Sequence, residues 1–199
     1  MLTCEHASNR LPAAFKKAVP AEVLKTHRAY DIGAAQVFRK LVKFAKPEFS
    51  CEGKYSRLFV DLNRTITNKS AFSDYLRNNE KAKAQATTYW NEYRAAIEKF
   101  VKANAKKEII HLGIHSFTPE LNGKVRNTDI GILYDPSRPK ECELAQVIKA
   151  EIKRLHPEMK VRFNYPYKGT SDGLTTTLRK KLGPRYAGLE IEINQKFFR

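Results

Sequence analysis

The sequence predicts an α/β protein in which helices flank a mixed β-sheet. Short apolar segments of strand length alternate along the chain with longer segments whose apolar residues recur at helical spacing. This alternation is typical of a sheet covered by helices on both faces. The 199 residues contain no internal repeat, low-complexity stretch or Ser/Gly-rich linker, and 42% of them are hydrophobic. We therefore expect a single domain over residues 1–199 that buries a sizeable core.

The first half of the chain predicts two strands and two helices. Residues 2–5 form a short apolar segment of strand length, and residues 57–62 form a second one. Between them, apolar residues recur every three or four positions over residues 31–45, and a proline closes this predicted helix. Residues 79–105 form the longest helical segment, with aromatic and aliphatic side chains along one face.

The second half of the chain predicts four more strands and two more helices. The segment at 108–115 is continuously apolar in the way that strands of buried parallel sheets are. The other predicted strands are 130–134, 161–165 and 186–193, and the predicted helices are 141–155 and 174–182. Prolines end both helices, one of them as part of a Gly-Pro pair.

The chain is strongly basic, with a net charge of +16 from 37 Lys and Arg against 21 Asp and Glu. This charge favours anionic partners. However, the lysines are scattered along the helical segments, and there is no zinc finger, RNP-type motif or basic arm. We therefore interpret most of this charge as a solvated basic surface, and between the two specific partners we expect a small anionic substrate rather than nucleic acid. No apolar run is long enough to span a bilayer, so we expect no membrane partner.

The three cysteines indicate a reducing environment. Cys4, Cys51 and Cys142 are widely spaced and form no C-x-x-C pair or disulfide framework. No signal peptide is visible at the N-terminus. These observations predict a cytoplasmic protein. Cys4 lies close to a histidine, but we interpret it as a buried strand cysteine rather than as a metal ligand.

Polar side chains lie at or near the carboxyl ends of three predicted strands. His6 follows the first strand, His115 ends the strand at 108–115, and Asn194 follows the last strand. Ligands of α/β sheets bind beyond the carboxyl ends of the strands, so these side chains are expected at one edge of the sheet. This convergence is the main reason to predict a functional site.

Two histidines and one carboxylate are candidate metal ligands. A catalytic zinc ion takes about three protein ligands and leaves one position for water. His6 and His115 would supply nitrogen, and Asp31, at the start of the predicted helix 31–45, would complete the set. Each also has a structural interpretation: a loop histidine, a buried core histidine, and a carboxylate that complements the helix dipole. We interpret His111 as structural, and His27 and His156 as surface residues.

Two acidic residues alternate in the otherwise apolar last strand. Buried carboxylates on one side of a strand repel each other, so at least one of Glu190 and Glu192 is expected to be paired. A buried Glu192 near a metal ion would be a general base, whereas a strand-edge charge facing solvent would not. Glu190 is the better candidate for the paired or exposed residue.

Three arginines adjoin these motifs and are candidate carboxylate-binding residues. Arg57, Arg64 and Arg126 lie beside motifs rather than on helix faces, and arginine binds carboxylates through two parallel hydrogen bonds. Asn194 is a fourth candidate for substrate binding. The alternative is that the arginines pair with Asp61 and Asp129 within the protein.

Six short motifs, taken together and in order, resemble the N-formylglutamate amidohydrolase family. They are Cys-Glu-His-Ala-Ser-Asn-x-Leu-Pro at 4–12, Tyr-Asp-Ile-Gly-Ala at 30–34, Ser-Arg-Leu-Phe-Val-Asp-Leu-Asn-Arg at 56–64, Gly-Ile-His-Ser-Phe-Thr-Pro at 113–119, Asn-x-Pro-Tyr-x-Gly at 164–169 and Leu-Glu-Ile-Glu-Ile-Asn-Gln at 189–195. The resemblance implies a zinc-dependent hydrolase related to the zinc exopeptidases, with a phosphorylase/hydrolase-like fold and one catalytic domain over 1–199.

The resemblance also implies roles for individual residues. His6 and His115 match the metal histidines, which would hold one Zn²⁺ per chain, and Glu192 matches the general base. The exopeptidases often place a carboxylate ligand three residues after the first histidine, where this chain has Asn9. The carboxylate must then come from elsewhere, and Asp31 is the candidate. Arg57 and Arg64 lie in the motif that would bind the substrate's carboxylates.

The sequence therefore predicts a metal-dependent hydrolase of a linear amide, with N-formyl-glutamate or a related N-acyl amino acid as the substrate. Two alternatives remain at this point. One is a zinc peptidase or amidase on peptidoglycan-like substrates, which needs a wider groove. The other is a basic binding protein without catalytic activity, built on the same fold with a degenerate site. The oligomeric state is not predicted.

Overall fold

A computed structural model describes residues 1–198 and has the predicted mixed sheet flanked by helices. Six strands form the sheet, in the spatial order β2 (Ser50–Glu52), β1 (Leu2–Cys4), β3 (Ile109–Phe117), β8 (Tyr186–Asn194), β6 (Ile130–Leu133) and β7 (Val161–Phe163). The first four run parallel to one another. β6 pairs antiparallel with β8 and parallel with β7, so the last two strands are reversed. A separate hairpin pairs β4 (Glu120–Leu121) with β5 (Lys124–Val125).

Helices cover both faces of the sheet. The helices are α1 (Ala21–Leu24), α2 (Ala34–Ala45), α3 (Glu80–Ala103), α4 (Pro139–Leu155) and α5 (Leu174–Leu182). α2 packs its Phe38 against Leu2 and Ile114, and α4 packs its Ala145 against Ile132 and Leu189 on the same face. α3 and α5 form the larger core on the opposite face. Within residues 1–198, no helix is both long and apolar enough to cross a membrane.

Most predicted elements are present, with ends that shift by a few residues. The segment at 57–62 was wrongly predicted as a strand. Phe59, Val60 and Leu62 are buried there, but the backbone forms turns, and its amides bond to Ser56 and Ala71 rather than to a neighbouring strand. β2 and the hairpin were not predicted, because they are very short and largely exposed or half-buried.

The alternation of side chains directs the histidines of β3 and the acidic residues of β8 to the α3 and α5 face. The register pairs His111 with Gly188, Gly113 with Glu190 and His115 with Glu192. His111 is buried and bonds to the hydroxyl groups of Thr3 and Tyr186 at 2.8 and 2.5 Å. Burial lowers the pKa of His111 to about 3, so the ring is neutral and structural, as the sequence predicted.

Candidate metal centre

The candidate site lies next to β1, where the order of strands along the chain switches from one side of β1 to the other. The strands paired with β1 are β2 on one side and β3 on the other, which creates a crevice at the carboxyl ends of these strands. His6 lies just after β1, and His115 lies near the carboxyl end of β3. Their rings meet edge to face, with centroids 5.1 Å apart. The two predicted histidines are therefore neighbours on one edge of the sheet.

The Asp31 carboxylate contacts both histidines. Its Oδ2 lies 3.3 Å from His6 Nδ1 and 2.9 Å from His115 Nδ1. The helix begins after the left-handed Gly33, with Ala34 as its first residue, so Asp31 precedes α2 and is not part of its first turn. The Asp31 backbone N–H donates to the His6 carbonyl at 3.0 Å, which brings the Asp31 carboxylate next to the histidines. The helix-dipole interpretation of Asp31 is thus wrong.

These three side chains fit a divalent metal ion. Their donor atoms all lie within 4.8 Å of one another, and the side chains are buried. Ligand atoms about 2.0–2.1 Å from a tetrahedral zinc ion are separated by about 3.3 Å. The two distances to Asp31 Oδ2 are close to that separation. Two imidazole nitrogens and one carboxylate oxygen form a donor set known from catalytic zinc enzymes.

Two further carboxylates flank the centre on its far side. Asp61 Oδ1 lies 2.7 Å from His6 Nε2, and Glu5 Oε2 lies 3.0 Å from His115 Nε2. Burial alone would raise the pKa of both carboxyl groups. However, His6 and Arg57 hold the pKa of Asp61 well below its usual range, and His115 lowers that of Glu5 to about 2. Both side chains are therefore buried anions.

Arg57 binds two of these acids. Its guanidinium lies 3.3 Å from Asp31 Oδ1 and 3.0 Å from Asp61 Oδ2. Because Oδ1 of Asp31 is held in this way, Oδ2 is the oxygen that faces the histidines. The pairing with Asp61 was one of the two alternatives for Arg57. Arg57 thus neutralises two buried carboxylates and holds them in place at this site.

Glu192 lies beside His115 in the sheet and has an oxygen without a partner. It is buried, and within the described part of the chain no group forms a hydrogen bond to Oε2. Burial raises the pKa of Glu192 to about 8. Gly131 of β6 is the register partner of Glu192. A Cβ atom at position 131 would lie 3.3 Å from Glu192 Cβ and would collide with the Tyr165 carbonyl oxygen, so the close packing around Glu192 requires glycine there. Glu192 is thus positioned to exchange a proton with a ligand in the crevice.

Glu190 lines the same cavity, but its carboxylate is hydrogen-bonded. Its Oε1 accepts hydrogen bonds from Asn63 Nδ2 at 3.3 Å and Thr175 Oγ1 at 3.2 Å. The two acidic residues of β8 therefore differ as the sequence predicted: one is paired, although with neutral donors, and the other is not. Both point to the α5 side, so Glu190 does not face open solvent.

A small cavity opens from the metal centre. Its volume is about 150 Å³, and its lining includes His6, Asp31, His115 and Glu192. Besides Arg57, two further basic residues, Arg64 and Lys168, line its wall. Arg64 donates through Nη1 to the backbone carbonyls of Asn63 and Asp172. Lys168 forms no ion pair with any residue from 1 to 198, and nothing in the sequence had indicated it.

The other two predicted substrate-binding residues lie outside this lining. Arg126 donates to Thr118 Oγ1 and to the Tyr167 hydroxyl at 3.3 and 3.2 Å, and it pairs with neither Asp129 nor any other acid of the described chain. Asn194 is buried, and its amide donates to the Thr128 carbonyl at 2.8 Å. In this structure, Arg126 and Asn194 therefore stabilise the loops around them through hydrogen bonds and do not line the cavity.

Comparison with known proteins agrees with this geometry. A family model described as N-formylglutamate amidohydrolase matches residues 1–199. The crystal structure of gene product Atu2144 from Agrobacterium tumefaciens is similar, with 28% identity and a TM-score of 0.82 over 100% of this chain and 81% of that chain. No curated protein sequence matches. The family model spans the whole chain, and the chain therefore belongs to the N-formylglutamate amidohydrolase family.

Proposed function

We propose that this protein is a zinc-dependent amidohydrolase that cleaves the linear amide bond of a small anionic N-acyl amino acid, such as N-formyl-glutamate. The observation that carries the proposal is the convergence of His6, Asp31 and His115 with an unpartnered Glu192 in one small cavity. Family membership supports the reaction class. Water and the N-formyl amide would give formate and the free amino acid.

His6, Asp31 and His115 would hold the metal ion. When bound, zinc supplies a Lewis acid that polarises the amide carbonyl and makes water more acidic. Arg57 keeps Asp31 oriented for this purpose through its contact with Oδ1. Burial of all three ligands keeps them fixed, since a buried side chain in contact with several partners has little freedom to move.

Glu192 would move the proton. Its carboxylate accepts a proton from the attacking water and then donates it to the nitrogen of the leaving amine. Burial raises the pKa of Glu192, which favours return of the proton, and a metal ion nearby would lower that pKa and so favour the carboxylate that accepts it. Oε2 has no competing hydrogen bond within residues 1–198, which leaves it available to water.

Arg64 and Lys168 would bind the substrate's carboxylates. Lys168 is the cation of the cavity wall whose ammonium is not engaged by a described residue, and Arg64 uses only Nη1 for backbone carbonyls. Asp172, on the same wall, is already bonded to Thr65 and Asn68. A basic outer wall next to a metal centre favours an anionic substrate.

The size of the cavity favours a small substrate over a polymer. Its volume of about 150 Å³ is below the roughly 300–1,000 Å³ of pockets that bury drug-sized ligands. A peptidoglycan strand would need a longer groove. An N-formyl or N-acetyl amino acid needs only room for one amide, one side chain and the carboxylate.

A hydrolysis assay tests the proposal. The zinc-loaded protein is incubated with a panel of N-formyl and N-acetyl amino acids, and the release of free amine is measured before and after zinc removal by a chelator. We expect hydrolysis of acidic N-acyl amino acids, its loss on chelation and its return with added zinc. Activity that survives complete zinc removal, or a zinc-loaded protein that hydrolyses no member of the panel, contradicts the proposal.

A further inference from the structure

We infer that Asp61 and Glu5 are positioning residues of the metal centre, each holding the far nitrogen of one histidine so that Nδ1 of both rings faces the ion. The inference rests on the metal centre of the proposed function. Neither acid is a ligand in this arrangement. Each acts on the ion only through the imidazole that it contacts.

A neutral imidazole has one N–H group and one nitrogen lone pair, and only the nitrogen with the lone pair binds metal. In both histidines Nδ1 is the nitrogen turned toward Asp31, and Nε2 is turned away from it. A carboxylate at Nε2 keeps the proton there and leaves Nδ1 free for the ion. Such carboxylate–histidine–metal arrangements also fix the ring plane and make the ligand nitrogen more basic.

Asp61 is itself firmly held in place. Besides its contact with His6 Nε2, Oδ1 accepts a hydrogen bond from the Asn63 backbone N–H at 2.9 Å. Oδ2 pairs with Arg57 at 3.0 Å. Its side chain is buried, and the turns at 57–62 present it to the histidine. This gives a reason for the buried turn structure of a segment whose apolar pattern predicted a strand.

Glu5 is held in place by a hydrogen bond from α3. Its Oε1 accepts a hydrogen bond from the Tyr93 hydroxyl at 3.0 Å, and Tyr93 belongs to α3. Oε2 lies 3.0 Å from His115 Nε2, in a bent contact. Within residues 1–198 that nitrogen has no hydrogen bond of standard geometry, so Glu5 acts on it as an anion in direct contact. Tyr93 of α3 thus connects to the candidate metal centre through Glu5.

Zinc affinity tests the inference without any assay of turnover. Asp61→Asn and Glu5→Gln are measured against wild type by competition with a chromophoric chelator. We expect each change to weaken zinc binding about 10–100-fold, as for other partners of metal-binding histidines. The matched controls are Asp172→Asn and Glu190→Gln, which line the same cavity but contact neither histidine. We expect both controls to bind zinc within about threefold of wild type.

A measurement on the unaltered chain covers the case in which a variant does not fold. Proton-coupled ¹⁵N spectra of the zinc-loaded protein labelled at histidine report which ring nitrogen carries the proton. We expect a proton on Nε2 of both His6 and His115, and metal on Nδ1. In folded Asp61→Asn and Glu5→Gln protein, we expect faster exchange of those Nε2 protons with solvent.

The outcomes separate this inference from the proposed function. If the wild-type chain binds no zinc, the proposed centre is wrong and the inference falls with it. If wild type binds zinc but either ring coordinates through Nε2, the centre stands and the inference is overturned for that ring. The inference is likewise overturned if the folded Asp61→Asn and Glu5→Gln proteins match their controls in affinity.

Discussion

Glu192 is the residue whose assigned role depends most on its local environment. Glu190 and Glu192 have the same side chain on the same face of β8, but only Glu190 is bonded to two neutral donors. Repulsion between buried carboxylates predicted that one of the two would be paired, but the partners Asn63 and Thr175 lie elsewhere in the chain and could not be predicted. In the proposed mechanism, the environment of Glu192, rather than its residue type, is what suits it to act as the base.

The change Glu192→Gln should lower turnover and leave the metal in place. A general base acts mainly on the chemical step, so we expect kcat to fall at least about 100-fold. Zinc content and KM should change much less, since His6, Asp31, His115 and the basic wall remain. Glu190→Gln is the control and should retain most of the turnover. Near-normal kcat in Glu192→Gln would refute the assignment.

At the scale of residues, the sequence could predict the three candidate ligands but not the side chains that surround them. His6, His115 and Asp31 are singled out by strand ends and by motifs, and the structure brings all three together. The contacts of Glu5 and Asp61 with the histidines depend on how turns and strands fold back on one another. Periodicity and spacing carry no information about such contacts, and neither acid had been assigned a role at the metal centre.

At the scale of elements, the segment at 57–62 shows the limit of apolar patterns. Four hydrophobic residues in six predict a strand, but burial alone does not fix the backbone conformation. Ser56 supplies the local hydrogen bonds that a turn needs. Its hydroxyl donates to the Ala29 carbonyl at 2.7 Å and accepts from the Leu58 N–H at 3.1 Å. Long helices and buried strands were predicted because their periodicity extends over many residues.

The change Ser56→Ala should destabilise the protein through this turn. It leaves the buried Leu58 N–H without its partner, whereas the Ala29 carbonyl keeps the hydrogen bond from the Arg57 N–H. Unsatisfied buried polar groups cost about 1–3 kcal/mol each. We expect urea unfolding to report a loss of about 1–3 kcal/mol. The exposed Ser70→Ala should change stability by less than about 0.5 kcal/mol, and equal effects of the two changes would contradict this role.

At the scale of the whole molecule, a buried ion pair joins α4 and α5 to β8 of the sheet. Glu141 of α4 contacts the Arg179 guanidinium of α5 at 2.9 Å and accepts the Gly188 N–H of β8 at 3.1 Å. Both side chains are almost fully buried. The sequence predicted an α/β sheet but not the reversal of β6 and β7, since strand order follows from such contacts between distant residues.

Breaking this pair should cost far more than breaking a surface pair. Glu141→Gln leaves the Arg179 charge buried without its counterion, and we expect a loss of about 3–5 kcal/mol in the free energy of unfolding. The control is Glu151→Gln on the same helix, where the partner Arg154 is exposed. That change should cost no more than about 1 kcal/mol. An equally small loss of unfolding free energy in both variants would show that this ion pair does not stabilise the contact between α4, α5 and β8.

The metal content of the purified chain tests the central claim most directly. Elemental analysis of protein loaded with zinc and freed of excess metal should give one zinc ion per chain for wild type. His6→Ala, His115→Ala and Asp31→Asn each remove one of three donors, so these variants should lose most of the metal while remaining folded by circular dichroism. Wild-type protein without stoichiometric zinc, or folded variants that retain it in full, would contradict the metal centre and the mechanism built on it.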